Sequence, residues 1–178
     1  TSDIADESYI ANATQYIQSS KKIAEVRYNK TGEDPWSSGV SYSTASLDKS
    51  TGVCTLSNVS VSVTEKLYVF VKDGYGNISK FTYVPIVFDA QSGGATSTGK
   101  FKDGSTTSST LGLVGSTLNS AQEPSSPVLG NQTFRYWYNS KDSGKYGVSL
   151  TRETVRDETT YYYPQWTYPT LTISNQVT

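Results

Sequence analysis

The sequence predicts a mainly β fold of sandwich type, on three observations. Tyrosine is abundant (14 residues) among many serines and threonines, and aromatics reach 12%; β-branched and aromatic side chains fit a pleated, half-buried surface. Several short segments alternate apolar and polar residues at the period of a strand. Turns rich in Gly, Asn and Asp separate them, and no segment demands a helix. A formal net charge of −1 with that aromatic content also separates the chain from disordered sequences, which carry more charge and fewer rings.

The elements follow in order. Residues 1–20 place Ile10, Ala13 and Ile17 at helical spacing, but Tyr9, Ala11 and Ala13 fit alternation equally, and both readings stay open. In "KKIAEVRYNKTGEDP", Ile23, Glu25 and Arg27 alternate against Ala24, Val26 and Tyr28, and turn residues close the strand. A second strand is expected around Val40–Thr44 and a third in "GVCTLSNVSVSV". The strongest pattern is "KLYVFVKDGYGNISKFTYVPIVF", with Leu67, Val69 and Val71 opposite Tyr68, Phe70 and Lys72. There "DGYGN" supplies a hairpin loop, its glycines taking positive φ and its Asp and Asn bonding back to the backbone. The return strand is expected from Ile78 to Phe88.

"DAQSGGATSTG" then shifts to small polar residues, which marks a flexible boundary and two modules. The expected domains are 1–90, a linker at 91–97, a second module at 98–168 and a tail at 169–178. The second module holds "STLGLVGSTL", a stretch with two prolines and room for a short helix, "TFRYWYN", the turn "SKDSGK" and a closing strand "TTYYYPQW". In that last strand Tyr161, Tyr163 and Gln165 should face one way, and Tyr162, Pro164 and Trp166 the other.

Composition removes several function classes. With no histidine, the usual general base, the usual zinc ligand and every Ser-His or Cys-His pair are gone. A charge near neutrality without a basic run argues against nucleic acid and anionic membrane as partners. No apolar run approaches the length of a membrane span. The chain opens at Thr1 with neither Met nor a signal peptide, which reads as an excised fragment. Cys54, the single cysteine, cannot form an internal disulfide and reads as a small buried hydrophobe.

The stretch "IAEVRYN" with "LYVFVKDGYGNISKF" resembles bacterial immunoglobulin-like domains of surface proteins, over about residues 22–90. Residues 98–168 resemble the Listeria–Bacteroides repeat, the internalin B-type repeat, a small ubiquitin-like β-grasp domain. Gly115, Pro124, Pro127, Gly130, Phe134, Trp137, Tyr138, Tyr163 and Trp166 carry that pattern. Tyr136 and Pro164 depart from it, standing where the family has Gly and Ala; a proline suits an edge position. The tail "TLTISNQVT" is similar to the opening strand of pilin-type domains, with Asn175 where some carry the Lys of an isopeptide bond. The resemblances imply an immunoglobulin-like β-sandwich followed by a β-grasp module, with Phe134, Trp137, Tyr163 and Trp166 as the repeat's aromatic core.

Candidate sites are few. Asp73 and Asn77 offer oxygen ligands for calcium, but two side chains are too few and the hairpin explains them; "KDSGK" likewise reads as a turn. Glu33/Asp34 and Asp157/Glu158 are adjacent pairs that diverge on a strand, so they read as solvated loop charges. Five Asn-x-Ser/Thr sequons, at Asn12, Asn29, Asn58, Asn77 and Asn131, arise readily in a chain this rich in Ser and Thr. Trp36, beside Pro35, is the leading candidate for stacking on a sugar, against a place in the core at a strand start. Tyr136 and Tyr138 fall on the strand face opposite Arg135 and Trp137 and are the other candidate contacts.

These readings lead to a non-enzymatic extracellular segment of a cell-wall-attached bacterial surface protein, acting as a stalk or adhesive module. It needs no cofactor or metal, and its expected partners are neighbouring domains and a host protein or glycan. The alternative is a carbohydrate-binding accessory module of a secreted glycan-degrading enzyme. Enzymatic chemistry would require two carboxylates facing each other across a cleft, and no spacing promises that.

Overall fold

A computed structural model of the chain describes residues 23–91, 99–139 and 153–167. The ambiguous segment 1–20, the "KDSGK" turn, the tail and, apart from Gln91, the expected linker lie outside the described residues. Two compact units are present. The first comprises Thr1–Pro85, Leu111–Thr117 and Thr154–Thr159; the second comprises Ile86–Thr110, Leu118–Glu153 and Thr160–Thr178. This is not the single cut at 91–97 that the composition suggests, because each unit draws on strands from both sides of it.

The described residues are mainly β and contain no α-helix. In the first unit, β1 (Ile23–Asn29), β2 (Ser43–Thr44) and β5 (Leu67–Asp73) join the start of β6 (Ile78–Asp89) in antiparallel order β2-β1-β5-β6. A second, two-stranded sheet pairs β3 (Ser46–Asp48) with β4 (Val53–Thr55). The strand expected at 40–44 is thus two residues long, and the third stretch splits between β4 and irregular chain. The hairpin forms as read. Asp73 Oδ1 accepts from the backbone of Tyr75 and Asn77, both at 2.9 Å, and Oδ2 accepts from Asn77 Nδ2 at 3.0 Å. Both side chains thus serve the turn, the role the hairpin reading gives them.

Inward residues Val26, Leu67, Val69, Val71, Phe81 and Tyr83 pack with Cys54 of β4 and Leu113, so two layers close on an aliphatic core. One departure from strict alternation occurs in β1. The register shifts between Ile23 and Glu25, so Ile23 and Val26 are both buried, at 3% and 2% exposure. A bulge inserts one extra residue and resets the face; without it Ile23 would share the outer face of Glu25 and Arg27. Cys54 is buried, and burial pushes its thiol up to about 11, so it packs as a small hydrophobe.

In the second unit, β8 (Thr133–Asn139) pairs antiparallel with β9 (Thr160–Thr167), and β9 pairs parallel with the end of β6 over Ile86–Phe88. β7 (Thr107–Leu113) begins in this unit and ends in the first. The helix anticipated near residue 120 is a single 3-10 turn, Ser120–Gln122. Its start is a reciprocal capping box: Asn119 Oδ1 accepts from Gln122 N, and Gln122 Oε1 accepts from Asn119 N.

The core here is aromatic. Trp137 meets Phe88 and Phe134, each at 5.2 Å between ring centroids, and Phe101 at 6.0 Å. Phe134 also meets Trp166 at 6.0 Å, and Phe88 stacks on Tyr162 at 5.3 Å.

Candidate functional site

β1 and β5 project polar and aromatic side chains from the sheet face opposite the aliphatic core. Glu25 lies across from Lys72, Arg27 from Phe70, and Phe70 in turn from Lys80 on β6. The loop after β1 folds back over this face and is pinned to it. Arg27 Nη1 donates to the Pro35 carbonyl at 3.0 Å, and Lys80 Nζ donates to the Gly32 carbonyl at 2.8 Å. Buried Asn29 donates to the Glu33 carbonyl and accepts from Gly32 N, both at 2.9 Å. Its amide replaces backbone partners that an irregular loop lacks.

Trp36 is part of this clamp. Its indole Nε1 donates to Glu25 Oε2 at 3.0 Å, and its backbone N–H donates to Asp34 Oδ1 at 2.9 Å. The Arg27 guanidinium stands 4.7 Å and the Lys72 ammonium 5.1 Å from its ring centroid. Cations favour the negative face of an aromatic ring. Glu25 closes the network by accepting from Arg27 Nη2 at 2.8 Å and Nε at 3.2 Å. The Trp36 hydrogen bond, then those of Arg27, hold its carboxyl below the usual glutamate range. Trp36 is therefore neither an exposed platform nor a member of the aliphatic core; it is a half-buried post between charged neighbours.

The same guanidinium sits 4.1 Å from the Tyr42 ring centroid, and Tyr42 remains 45% exposed. Tyr42 forms one wall of an open groove of about 490 Å3, within the usual range of about 300–1,000 Å3 for ligand pockets. The end of β1 and the loop after it contribute Tyr28 to Thr31, the chain entering β2 contributes Ser41 to Ser43, and the segment after β4 contributes Asn58 to Ser60. Leu67 completes the lining. Tyr28 also packs against the aliphatic core, which fixes that wall. Asn58 holds φ of 57°, a left-handed conformation that Asn tolerates better than most residues.

The remaining expected residues divide between core and surface. Trp137, at 2% exposure, and the half-buried Phe134 and Trp166 belong to the second unit's aromatic cluster. Phe134 joins Trp137 because the β8 register shifts between Phe134 and Tyr136; strict alternation would have put it with Tyr136 and Tyr138. Tyr163 is not in that cluster. It lies half-exposed, 6.1 Å from the half-exposed Tyr138 ring, and Tyr162 takes the core place at 5% exposure. The reason is period two: Pro164 is buried, so Tyr162 shares its face and Tyr163 does not. Partial burial, then Asp89, raises the Tyr163 hydroxyl above the usual tyrosine range.

Tyr136 carries Arg135 at 5.7 Å and is half-exposed. Pro164 is on a strand paired on both sides, not on an edge strand, yet the parallel register covers only Thr160–Tyr162 and ends before it. Asp34 caps the Trp36 turn, and Asp157 pairs with Lys66 at 2.8 Å. Among the described residues no group of three or more His, Cys, Asp or Glu could hold a metal ion.

Sequence reasoning missed Tyr42 and Asn58 as site residues. "GVSYSTAS" and "LSNVS" carry no motif spacing, and only the fold brings them to one groove. Comparisons with protein-family models, with curated proteins and with solved structures returned no match to this chain.

Proposed function

We propose that the chain is a non-enzymatic extracellular segment of a cell-wall-attached bacterial surface protein, a stalk that spaces or presents a binding region. In this reading the first unit is an immunoglobulin-like sandwich and the second a β-grasp repeat. The observation that carries it is the aromatic cluster of the second unit. Phe134, Trp137 and Trp166, three residues of the repeat pattern, meet in one cluster through the Phe134 ring. One pattern glycine of that unit adds support, Gly130 at φ 50°, since glycine reaches that region at no steric cost. The two-layer packing of the first unit around Val26, Val69 and Cys54 suits a sandwich.

Antibodies raised against the purified segment test the location. They are expected to label intact cells of the source organism, and brief trypsin treatment of those cells should remove the label. Recovery of the antigen only from the cytosol of lysed cells would sink the reading.

A further inference from the structure

We propose that the groove walled by Tyr42, Tyr28 and Asn58 binds a neutral saccharide. This goes beyond the stalk reading and stands on the lining chemistry of the first unit alone.

Charge comes first. Among the described residues, Lys30 is the only Lys, Arg, Asp or Glu lining the groove, and its ammonium is already paired with Glu65 at 2.8 Å. That pairing leaves the groove near neutral, with no cluster of one sign to favour a phosphate, carboxylate or ammonium group. The ligand that fits is uncharged.

Polarity comes second. Ser41, Ser43, Asn58 and Ser60 line the groove with hydroxyl and amide groups. Among the described residues none of these four side chains is hydrogen-bonded to protein. Each hydroxyl both donates and accepts, and the amide offers donors on one atom and an acceptor on another. A sugar presents the same dual character at every alcohol. A purely apolar ligand would strand these groups without water or partner.

Shape and stiffness come third. Saccharides also carry apolar C–H faces, and tyrosine supplies an apolar body with a polar tip. The Arg27 guanidinium holds the Tyr42 ring in place before any ligand arrives. That guanidinium is fixed in turn by Glu25 and the Pro35 carbonyl. A wall ordered in advance loses less entropy on binding. The left-handed backbone of Asn58 sets the direction of its amide in the same way.

The test is a titration of the whole chain with neutral gluco-, manno-, galacto- and xylo-oligosaccharides, beside uronic-acid and sialylated oligosaccharides. At least one neutral series is expected to bind. Tyr42→Ala and Asn58→Gly should each weaken that binding about tenfold or more, the scale of one lost ring or polar contact. Asn58→Gly keeps the positive φ accessible, so its loss reports the amide and not a misfolded loop. Tyr75→Ala, at the exposed tip of the β5–β6 hairpin and outside the groove lining, should bind as the parent does. Binding of acidic oligosaccharides alone, no binding of any neutral series, or neutral binding unchanged in both groove variants would each overturn the proposal. Cell location plays no part in these outcomes, so the stalk reading and this one fail separately.

Discussion

The two units solve the same packing problem with different side chains. The first closes two layers with many small and medium residues, among them Val26, Val69, Val71 and Cys54. The second closes on a few large rings, Phe88, Phe101, Phe134, Trp137 and Tyr162. Their tryptophans show what the difference means. In the first unit, Trp36 has its N–H on Glu25. In the second, the buried Nε1 atoms of Trp137 and Trp166 find no hydrogen-bond partner among the described residues. A buried donor left unpaired costs about 1–3 kcal/mol. The second unit accepts that cost for bulk, because a small domain has too little interior to be filled by aliphatics alone. The first uses its tryptophan for polarity and charge, to hold a loop.

That contrast can be broken most directly at Trp137. Trp137→Ala should destabilise the chain by about 3–5 kcal/mol, read from urea unfolding at constant slope. A cost below about 1 kcal/mol would mean that the rings do not form the core. Leu67→Ala in the aliphatic core should cost about 3 kcal/mol, less than the tryptophan because fewer buried atoms are removed and a smaller cavity is left. Equal costs would erase the distinction between the two cores.

Cys54 offers a smaller effect and a chemical readout. With its thiol pushed up to about 11 by burial, a disulfide reagent at pH 8 should leave the native chain unmodified and react once in denaturant. Cys54→Ser should cost about 1–3 kcal/mol by burying a hydroxyl, and prompt labelling of the native chain would show that the two layers are not closed there.

The smallest effect belongs to the Trp36 clamp. Glu25 has a lowered folded-state pKa, so its contribution is present above the ordinary glutamate value of about 4.3 and is lost as pH falls through the lower folded value. With 41% of its side chain exposed, solvent screening keeps the contribution under about 1 kcal/mol. Glu25→Gln should flatten the acid limb of a stability–pH curve while leaving the neutral plateau nearly unchanged. An acid limb identical to the parent's would remove Glu25 from the clamp.

Much of the fold was legible where pattern and turn chemistry agree. The β5–β6 hairpin follows from Leu67, Val69 and Val71 against Tyr68 and Lys72, with Asp73 and Asn77 locking the turn. What escaped was set by tertiary pairing. The shifts at Ala24 in β1 and Arg135 in β8 leave no mark in a period-two pattern, yet they decide where Ile23 and Phe134 point. The repeat's motif spacing points to Tyr163, whereas the buried parity of Pro164 puts Tyr162 in the core. The interleaved units were hidden for a similar reason: long-range partners of β6 and β9 cannot be read from local composition. At the groove, residues far apart in sequence are gathered by β1 and its loop, so neither Tyr42 nor Asn58 announces itself.

The cations around Trp36 also make the chain a built-in optical gauge. Of its three tryptophans, one stands between Arg27 and Lys72 while the others sit in the aromatic cluster. Iodide, drawn to the positive side chains, should quench Trp36 emission in preference to that of the other two, and caesium should not. The iodide-sensitive fraction of the fluorescence would then follow the loop after β1 separately from the aromatic core, in the unmodified protein.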